Sequence, residues 1–345
     1  MVYGGITFRG SRYGQIHESR FFRDTLQPDE VVIKVTHSGV CGTDLHFAHS
    51  DMVLGHEGVG VVQEVGANCK TLQVGDRVGW GYTYWSCGRC SACLTANEAY
   101  CPTAGKYGAH HLDQGSFGSL AIKSENWVFK IPDGIESRDA PPLLCGGPSV
   151  FSPMVEFLKP TDRVGILGVG GLGHLAIQFA KAMGCDVVAL SGTEAKREDA
   201  ISLGAREFYA TNEIEDYNAL NITKPLDSLI VTSGSQNHDF ANYYKLLKPV
   251  ATVILLTISF NDLVVPFIPT VANGIKIVGA TPANVLIQIQ TLEFAERNNI
   301  RPIVEEFPMT VAGITEAMGK LKNGEIRYRA ILSWQEEPED ETEAS

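Results

Sequence analysis

In the middle of the chain the spacing of apolar residues changes twice within one short stretch. Arg163 to Leu167 (RVGIL) is an apolar run of strand length. Leu175, Phe179, Ala182 and Met183 then recur at helical spacing, and Val187 to Leu190 resumes a strand. Strand, loop, helix, strand is the unit from which parallel sheets are built. Runs at Ser228 to Thr232, Val250 to Ile258 and Lys276 to Gly279 predict further strands of that sheet. Helical spacing predicts helices from Val285 to Asn298 and from Thr310 to Lys322, followed by a strand from Arg329 to Ser333. The first 148 residues differ, with short β segments between Gly and Pro turns. The pattern predicts an α/β chain: a β-rich domain over 1–148, a doubly wound domain over 149–284, and a return to the first domain over 285–345. The closing EEPEDETEAS is acidic and expected to be a disordered tail. No internal repeat is evident.

A chain of 345 residues, 44% of them hydrophobic, has material for two buried cores, which excludes a peptide, a disulfide miniprotein and a disordered chain. The 28 Lys and Arg against 40 Asp and Glu leave a net charge of −12 with no basic stripe, so nucleic acid is not an expected partner. The longest apolar run, VATVILLTI from Val250 to Ile258, is too short to span a bilayer. The opening MVYGGITFRGSRYG lacks the apolar core of a signal peptide. A cytoplasmic protein without a membrane partner is the expectation.

The cysteines narrow the class. They stand at 41, 69, 87, 90, 93, 101, 145 and 185, and four of them form C-x2-C-x2-C-x7-C. Gly88 lets the backbone of SCGRCSACLTANEAYC turn tightly enough for Cys87, Cys90, Cys93 and Cys101 to converge on one tetrahedral ion, a closed structural zinc site. Two disulfides or an iron-sulfur cluster could use the same four residues; the missing secretory signal and the short, regular spacings favour zinc. Cys69 and Cys185 read as packing residues.

A second set of ligand types is scattered: Cys41 in GVCGTDLH, His56 and Glu57 in LGHEGVG, and Cys145 in PLLCGG. Spacing alone does not bring them together. Cys145 could be an ordinary buried thiol and His56 a histidine satisfied within a glycine turn. Two cysteines and a histidine with an open fourth position would instead make a catalytic zinc site.

After the first strand of the βαβ unit comes Gly168-Val169-Gly170-Gly171-Leu172-Gly173, a GxGxxG loop opening a helix. Gly168 allows the turn, Gly170 the approach of a pyrophosphate and Gly173 close helix-strand packing. The free N–H groups around Gly171 and Leu172 face the phosphates. In this setting the loop predicts a dinucleotide cofactor. At the end of the second strand, where an acid would hold the ribose of NAD, stands Ser191, followed by Thr193, Lys196 and Arg197. Hydroxyls and cations suit a 2′-phosphate, which favours NADP(H), although Lys196 and Arg197 also suit the solvated start of a helix.

Taken in order, GVCGTDLH, GHEGVGVVQEVG, VGDRVGWG, the four-cysteine lobe, APPLLCGG, the glycine loop and GEIRYRAILSW resemble the zinc-dependent medium-chain dehydrogenases/reductases. The similarity runs from about Glu30 to Trp334 and is greatest to the cinnamyl alcohol dehydrogenase branch, fungal NADPH-dependent alcohol dehydrogenases included. The resemblance implies a GroES-like catalytic domain with a structural zinc lobe at 87–101, joined to a Rossmann cofactor domain, with substrate and cofactor meeting in the cleft between them. It implies two zinc ions per chain. Cys41, His56 and Cys145 would hold the catalytic ion, with Glu57 an occasional fourth ligand, and Asp44 would orient His56. Thr43 and His46 would relay a proton, Ser149 would lie near the nicotinamide and Arg329 near the pyrophosphate. Zinc would polarise an aldehyde that NADPH reduces to an alcohol. Homodimers would form along the edge strand around Ile275 to Ala280.

The chain departs from that pattern in one place. Only 14 residues separate Cys41 from His56, fewer than in similar sequences, which predicts a more open or differently walled pocket. Trp80, Tyr82, Tyr84 and Trp85 could wall such a pocket or simply pack the lobe. The leading expectation is an NADP-dependent zinc alcohol dehydrogenase acting on medium-sized aromatic or unsaturated aldehydes. A polyol dehydrogenase, or a reductase of a specialised-metabolite intermediate, keeps the zinc and changes the substrate. A catalytically inactive nucleotide-binding protein would have no need of Cys41, Thr43, His46, His56 and Cys145 together.

Overall fold

The computed structural model describes residues 2–234, 238–259, 261–280 and 284–334; the acidic segment 336–345 lies outside the described residues. The chain forms two compact units, Met1–Cys145 with the segment from Ile303 onward, and Gly146–Pro302.

In the second unit six parallel strands lie in the order Glu207–Ala210, Asp186–Ser191, Arg163–Leu167, Leu226–Val231, Leu247–Leu255, Lys276–Gly279. Numbered along the chain this is 3-2-1-4-5-6, the doubly wound order, whose reversal places the loop after Arg163–Leu167 at the switch point. Every residue of that first strand is buried, as a strand covered on both faces requires. Glu207–Ala210 escapes the sequence pattern because only Phe208 among its four residues is buried.

The helix Val285–Arg297, which the sequence pattern assigns to the returning segment, belongs to this second unit. Its Phe294 packs on Phe151 and Phe179, with ring centroids 5.0 and 5.9 Å apart. Those contacts hold the helix to Gly146–Phe157 and Gly173–Ala182, so the return begins at 303 and not at 285.

The first unit is built on a sheet ordered Val304–Pro308, Arg329–Ser333, Glu30–Val40, Gly58–Val65, Arg77–Trp80, Phe129–Lys130, with Leu120–Ser124 also pairing to Glu30–Val40. Glu30–Val40 is long enough to serve two partners on one edge, Leu120–Ser124 along its first half and Arg329–Ser333 along its second. Its other edge is antiparallel to Gly58–Val65, with Ser38 opposite Gly58. That register sets the residues just beyond Val40 beside those just before Gly58. The Trp80 ring occupies the place a Gly58 Cβ would take, and Trp80 is 2% exposed, so it is core and not a pocket wall. No helix among the described residues is long and apolar enough to cross a membrane.

Candidate active site and metal centres

The strand register assembles the scattered ligand set. Cys41 follows Val40 and caps the short helix Gly42–Phe47, while His56 and Glu57 precede Gly58. The Gly39 N–H donates to the Glu57 carbonyl at 3.0 Å. Cys145 follows the 3-10 turn Pro141–Leu144, whose Leu143 and Leu144 are fully buried. One ligand atom from each of Cys41, His56, Glu57 and Cys145 lies within 4.8 Å of all the others.

Asp44 explains the shape of this corner. It is fully buried on the helix Gly42–Phe47. The Cys41 N–H donates to its Oδ2 at 2.8 Å, closing the helix start, and its Oδ1 accepts from His56 Nδ1 at 3.1 Å. A proton on Nδ1 leaves the Nε2 lone pair of His56 aimed into the cluster. That Nε2 is buried without a hydrogen-bond partner, and so is Glu57 Oε2. Orphaned buried polar atoms are costly, and both are relieved by a cation bound among these four residues. The donor set of two sulfurs and an imidazole, joined by a carboxylate, is of the kind zinc takes.

Electrostatics agree with a cation-binding corner. Burial alone would lower the His56 pKa, but the charge and hydrogen bond of Asp44, and then the nearby charge of Cys41, raise it well above the ordinary imidazole range. Hydrogen bonding between the two thiols lowers Cys41 and raises Cys145. Burial raises the Glu57 carboxyl although the Arg329 guanidinium opposes it. Arg329 Nη2 donates to Glu57 Oε1, so the residue implied to lie near the pyrophosphate is itself buried and holds this carboxylate. Gly39 is required here, because any Cβ would overlap Glu57 Oε2.

Thr43 and His46 stand one turn apart on the same helix. Thr43 Oγ1 is 3.8 Å from Cys41 Sγ, and His46 is exposed. The short connection to His56 does not project outward. Met52, Val53 and Leu54 are buried, with Gly10 N–H donating to the Met52 carbonyl and Leu54 N–H to that of Phe8, both at 3.0 Å. One aromatic side chain beside the cluster is Tyr82, half-buried and edge-on to the His56 ring at 5.8 Å.

The second ligand group is Cys87, Cys90, Cys93 and Cys101, also within 4.8 Å of one another. Gly88 has φ +68°, the left-handed turn expected of it. Cys90 Sγ lies 3.5 Å from Cys93 Sγ and Cys87 Sγ 3.9 Å from it, and all eight cysteines are free thiols. A backbone N–H of Cys87, with Thr103, holds the Cys101 thiol down to about 6, a further preference for thiolate.

In the second unit Gly168 has φ +103° and Gly173 lies so close to the Gly168 carbonyl that no Cβ fits. Nothing stands within 4 Å of where a Gly170 Cβ would be, which leaves the backbone approachable at Gly170, just before Gly173–Ala182. His174, invisible to the sequence pattern, is fully buried with Nδ1 2.9 Å from the Gly170 carbonyl and fixes the loop from beneath. Ser191 ends its strand, 8% exposed, and Thr193 is exposed. Lys196 is half-buried, whereas Arg197 is committed to Glu194 at 2.6 and 2.8 Å. Ser149 lies on Gly146–Phe157 and is half-buried.

A fold of this order carrying these two ligand clusters defines a zinc-binding dehydrogenase, and comparison with known proteins agrees. The profile of the alcohol dehydrogenase GroES-like domain matches residues 27–133, and that of the zinc-binding dehydrogenases residues 171–295. The chain is 34% identical to probable cinnamyl alcohol dehydrogenase 8A of Oryza sativa subsp. japonica, over 92% of either chain. It is 33% identical to NADP-dependent alcohol dehydrogenase C 1 of Mycolicibacterium smegmatis, over 90% of this chain and 92% of that one. A cinnamyl alcohol dehydrogenase structure from Sorghum bicolor superposes with a TM-score of 0.89 at 29% identity, covering 97% of this chain and all of the other. The chain therefore belongs to the zinc-dependent medium-chain dehydrogenases/reductases, in their cinnamyl alcohol dehydrogenase-like branch. It is an oxidoreductase of the alcohol dehydrogenase kind.

Proposed function

We propose that the protein is an NADP-dependent aldehyde reductase and alcohol dehydrogenase, with a catalytic zinc held by Cys41, His56 and Cys145 and a structural zinc held by Cys87, Cys90, Cys93 and Cys101. The observation that carries this reading is the meeting of two thiols and the unpartnered His56 Nε2 from three distant parts of the chain. When bound, zinc supplies Lewis acidity to a carbonyl or hydroxyl oxygen, and the nicotinamide gives or takes the hydride. Asp44 keeps the His56 ring in the ligand tautomer. Thr43 holds a proton beside Cys41, and exposed His46, one turn on, exchanges it with solvent. Glu57 stands in reserve as a fourth ligand, restrained by Arg329.

For the cofactor, Gly168, Gly170, Gly171, Leu172 and Gly173 receive the pyrophosphate, with Ser149 beside the nicotinamide and Arg329 at the pyrophosphate. Ser191, Thr193 and Lys196 face the 2′-phosphate. Support for NADP(H) comes from the hydroxyl at Ser191 where an acid would repel a phosphate, and from a Helicobacter pylori relative solved with NADP(H), at 25% identity and a TM-score of 0.87 over 98% of this chain and all of that one. Charge-assisted phosphate contacts are worth about 1.5–3 kcal/mol, so kcat/KM with NADPH is expected to exceed that with NADH by about tenfold or more. Equal or faster turnover with NADH would reject these phosphate contacts.

Aromatic or unsaturated aldehydes of medium size fit the Tyr82 ring beside the metal cluster and the names of the plant relatives. A panel running from cinnamaldehyde-sized to polyol-sized substrates, followed by NADPH consumption, tests this. The compact connection at 42–55 favours a second reading, in which a bulkier intermediate of specialised metabolism is reduced. Free thiols at all eight cysteines suit a reducing cytoplasm.

The protein is further proposed to be a homodimer. Lys276–Gly279 is the edge of its sheet, and Val264, Phe267, Ile268 and Val271 nearby are 67–79% exposed. Such an apolar group on a surface marks an interface. Sedimentation is expected to give twice the chain mass, and Phe267→Asp with Ile268→Asp to give a monomer. A monomeric unaltered protein would contradict the assignment.

A further inference from the structure

Among the residues at the base of the four-cysteine lobe, Tyr107 is hydrogen-bonded into the Cys41–His56–Cys145 corner. Two short strands form the base of the lobe: Thr83–Trp85 leads into Cys87 and Gly105–Lys106 leads away from Cys101, paired antiparallel. Tyr107 follows directly and is buried, 4% exposed. Its hydroxyl donates to Asp44 Oδ1 at 2.9 Å and accepts from the Gly55 N–H at 2.9 Å. Gly55 is the residue before His56, and its φ of +90° fixes how the chain enters the histidine. The Tyr107 ring lies against the His56 ring with centroids 4.8 Å apart and planes at 30°, and the Phe47 ring packs nearly perpendicular to that of Tyr107 at 5.3 Å.

We propose that Tyr107 is a positioning residue that ties the lobe to the three-ligand cluster, its hydroxyl holding Asp44 so that Asp44 holds His56. This rests on the reading that Cys41, His56 and Cys145 bind a metal. Asp44 Oδ1 receives both Tyr107 and His56 Nδ1. Without the hydroxyl, one acceptor site on this buried carboxylate is unfilled and the Gly55 N–H is unpartnered, so both the ring and its backbone lose a fixed orientation. Outer partners of a ligating histidine commonly govern metal affinity by about tenfold to a hundredfold.

The test loads both sites with zinc and follows release to a chelator, with Co2+ replacing zinc in a parallel sample to report ligand geometry from its visible bands. In Tyr107→Phe, which keeps the ring, release from the three-ligand site is expected to accelerate about tenfold or more and the Co2+ bands to shift, while the four-cysteine ion leaves at its former rate. Because Tyr107 acts partly through Asp44, the double variant Asp44→Asn with Tyr107→Phe is expected to accelerate release by less than the product of the two single-variant factors. By reciprocity, metal binding to the unaltered protein slows hydrogen exchange at the Gly55 amide, a measurement that needs no variant to fold. Unchanged release from the three-ligand site, equal acceleration at both sites, additive effects in the double variant or a Gly55 amide indifferent to metal would each overturn the proposal. Unaltered protein that binds zinc only at the four cysteines would overturn the metal reading beneath it, an outcome distinct from all of these.

Discussion

Cys145→Ala is expected to abolish turnover while the protein stays folded and keeps one zinc per chain. The variant removes one of the two sulfurs in the cluster, and the remaining groups do not make up the loss. Glu57 is the nearest substitute, but its carboxylate is fastened to buried Arg329, and moving it would strand that guanidinium. A metal acting as Lewis acid contributes several kcal/mol to the transition state, so its loss lowers the rate by about a thousandfold or more. The four-cysteine ion is untouched, because no residue of that group ligates in the other. Zinc analysis and turnover on the same sample check both halves, and a variant with two ions and undiminished activity would contradict the ligand assignment.

The second large effect is expected at the lobe. Between Cys87 and Cys101 only Ala99 and Cys101 are buried, while Leu94 and Tyr100 are 73% and 57% exposed. A segment with so little apolar surface inside cannot hold itself together by burial. Structural zinc binding is worth about 10–16 kcal/mol in small zinc modules, so an ion held by the four cysteines would be enough to order this stretch. Cys90→Ala is therefore expected to open the lobe, read as rapid proteolysis within 87–101 and a lowered melting temperature. Because the base of the lobe carries Tyr82 and Tyr107 against His56, zinc at the three-ligand site is expected to weaken as well. A Cys90→Ala variant as resistant to protease as the unaltered protein would show that packing, and not metal, holds the lobe.

Local chemistry with a fixed spacing was legible in the sequence. The four cysteines span fifteen residues, so convergence follows from one glycine turn, and the glycine loop sits within one strand-helix unit. The strand Arg329–Ser333 coincides with its apolar run because every one of its residues is buried. What could not be read depends on long-range register. Cys41 meets His56 because Ser38 lies opposite Gly58, and nothing in either segment alone specifies that pairing. The helix Val285–Arg297 was assigned to the wrong unit for the same reason, since its partners Phe151 and Phe179 lie more than a hundred residues away. Tyr107 carried no signal beyond its place six residues after Cys101; a tyrosine in a loop reads as packing until its hydroxyl is seen on Asp44. The pairing of Arg329 with Glu57 was likewise hidden, because the two residues lie 272 positions apart along the chain.

The central claim is that Cys41, His56 and Cys145 hold one metal ion. Crystals grown with zinc and measured on either side of the zinc absorption edge test it most directly. The account predicts two anomalous peaks per chain, one among the four lobe sulfurs and one at bonding distance, about 2.0–2.4 Å, from Cys41 Sγ, His56 Nε2 and Cys145 Sγ. A single peak at the lobe, with those three side chains well ordered around no scatterer, would contradict it.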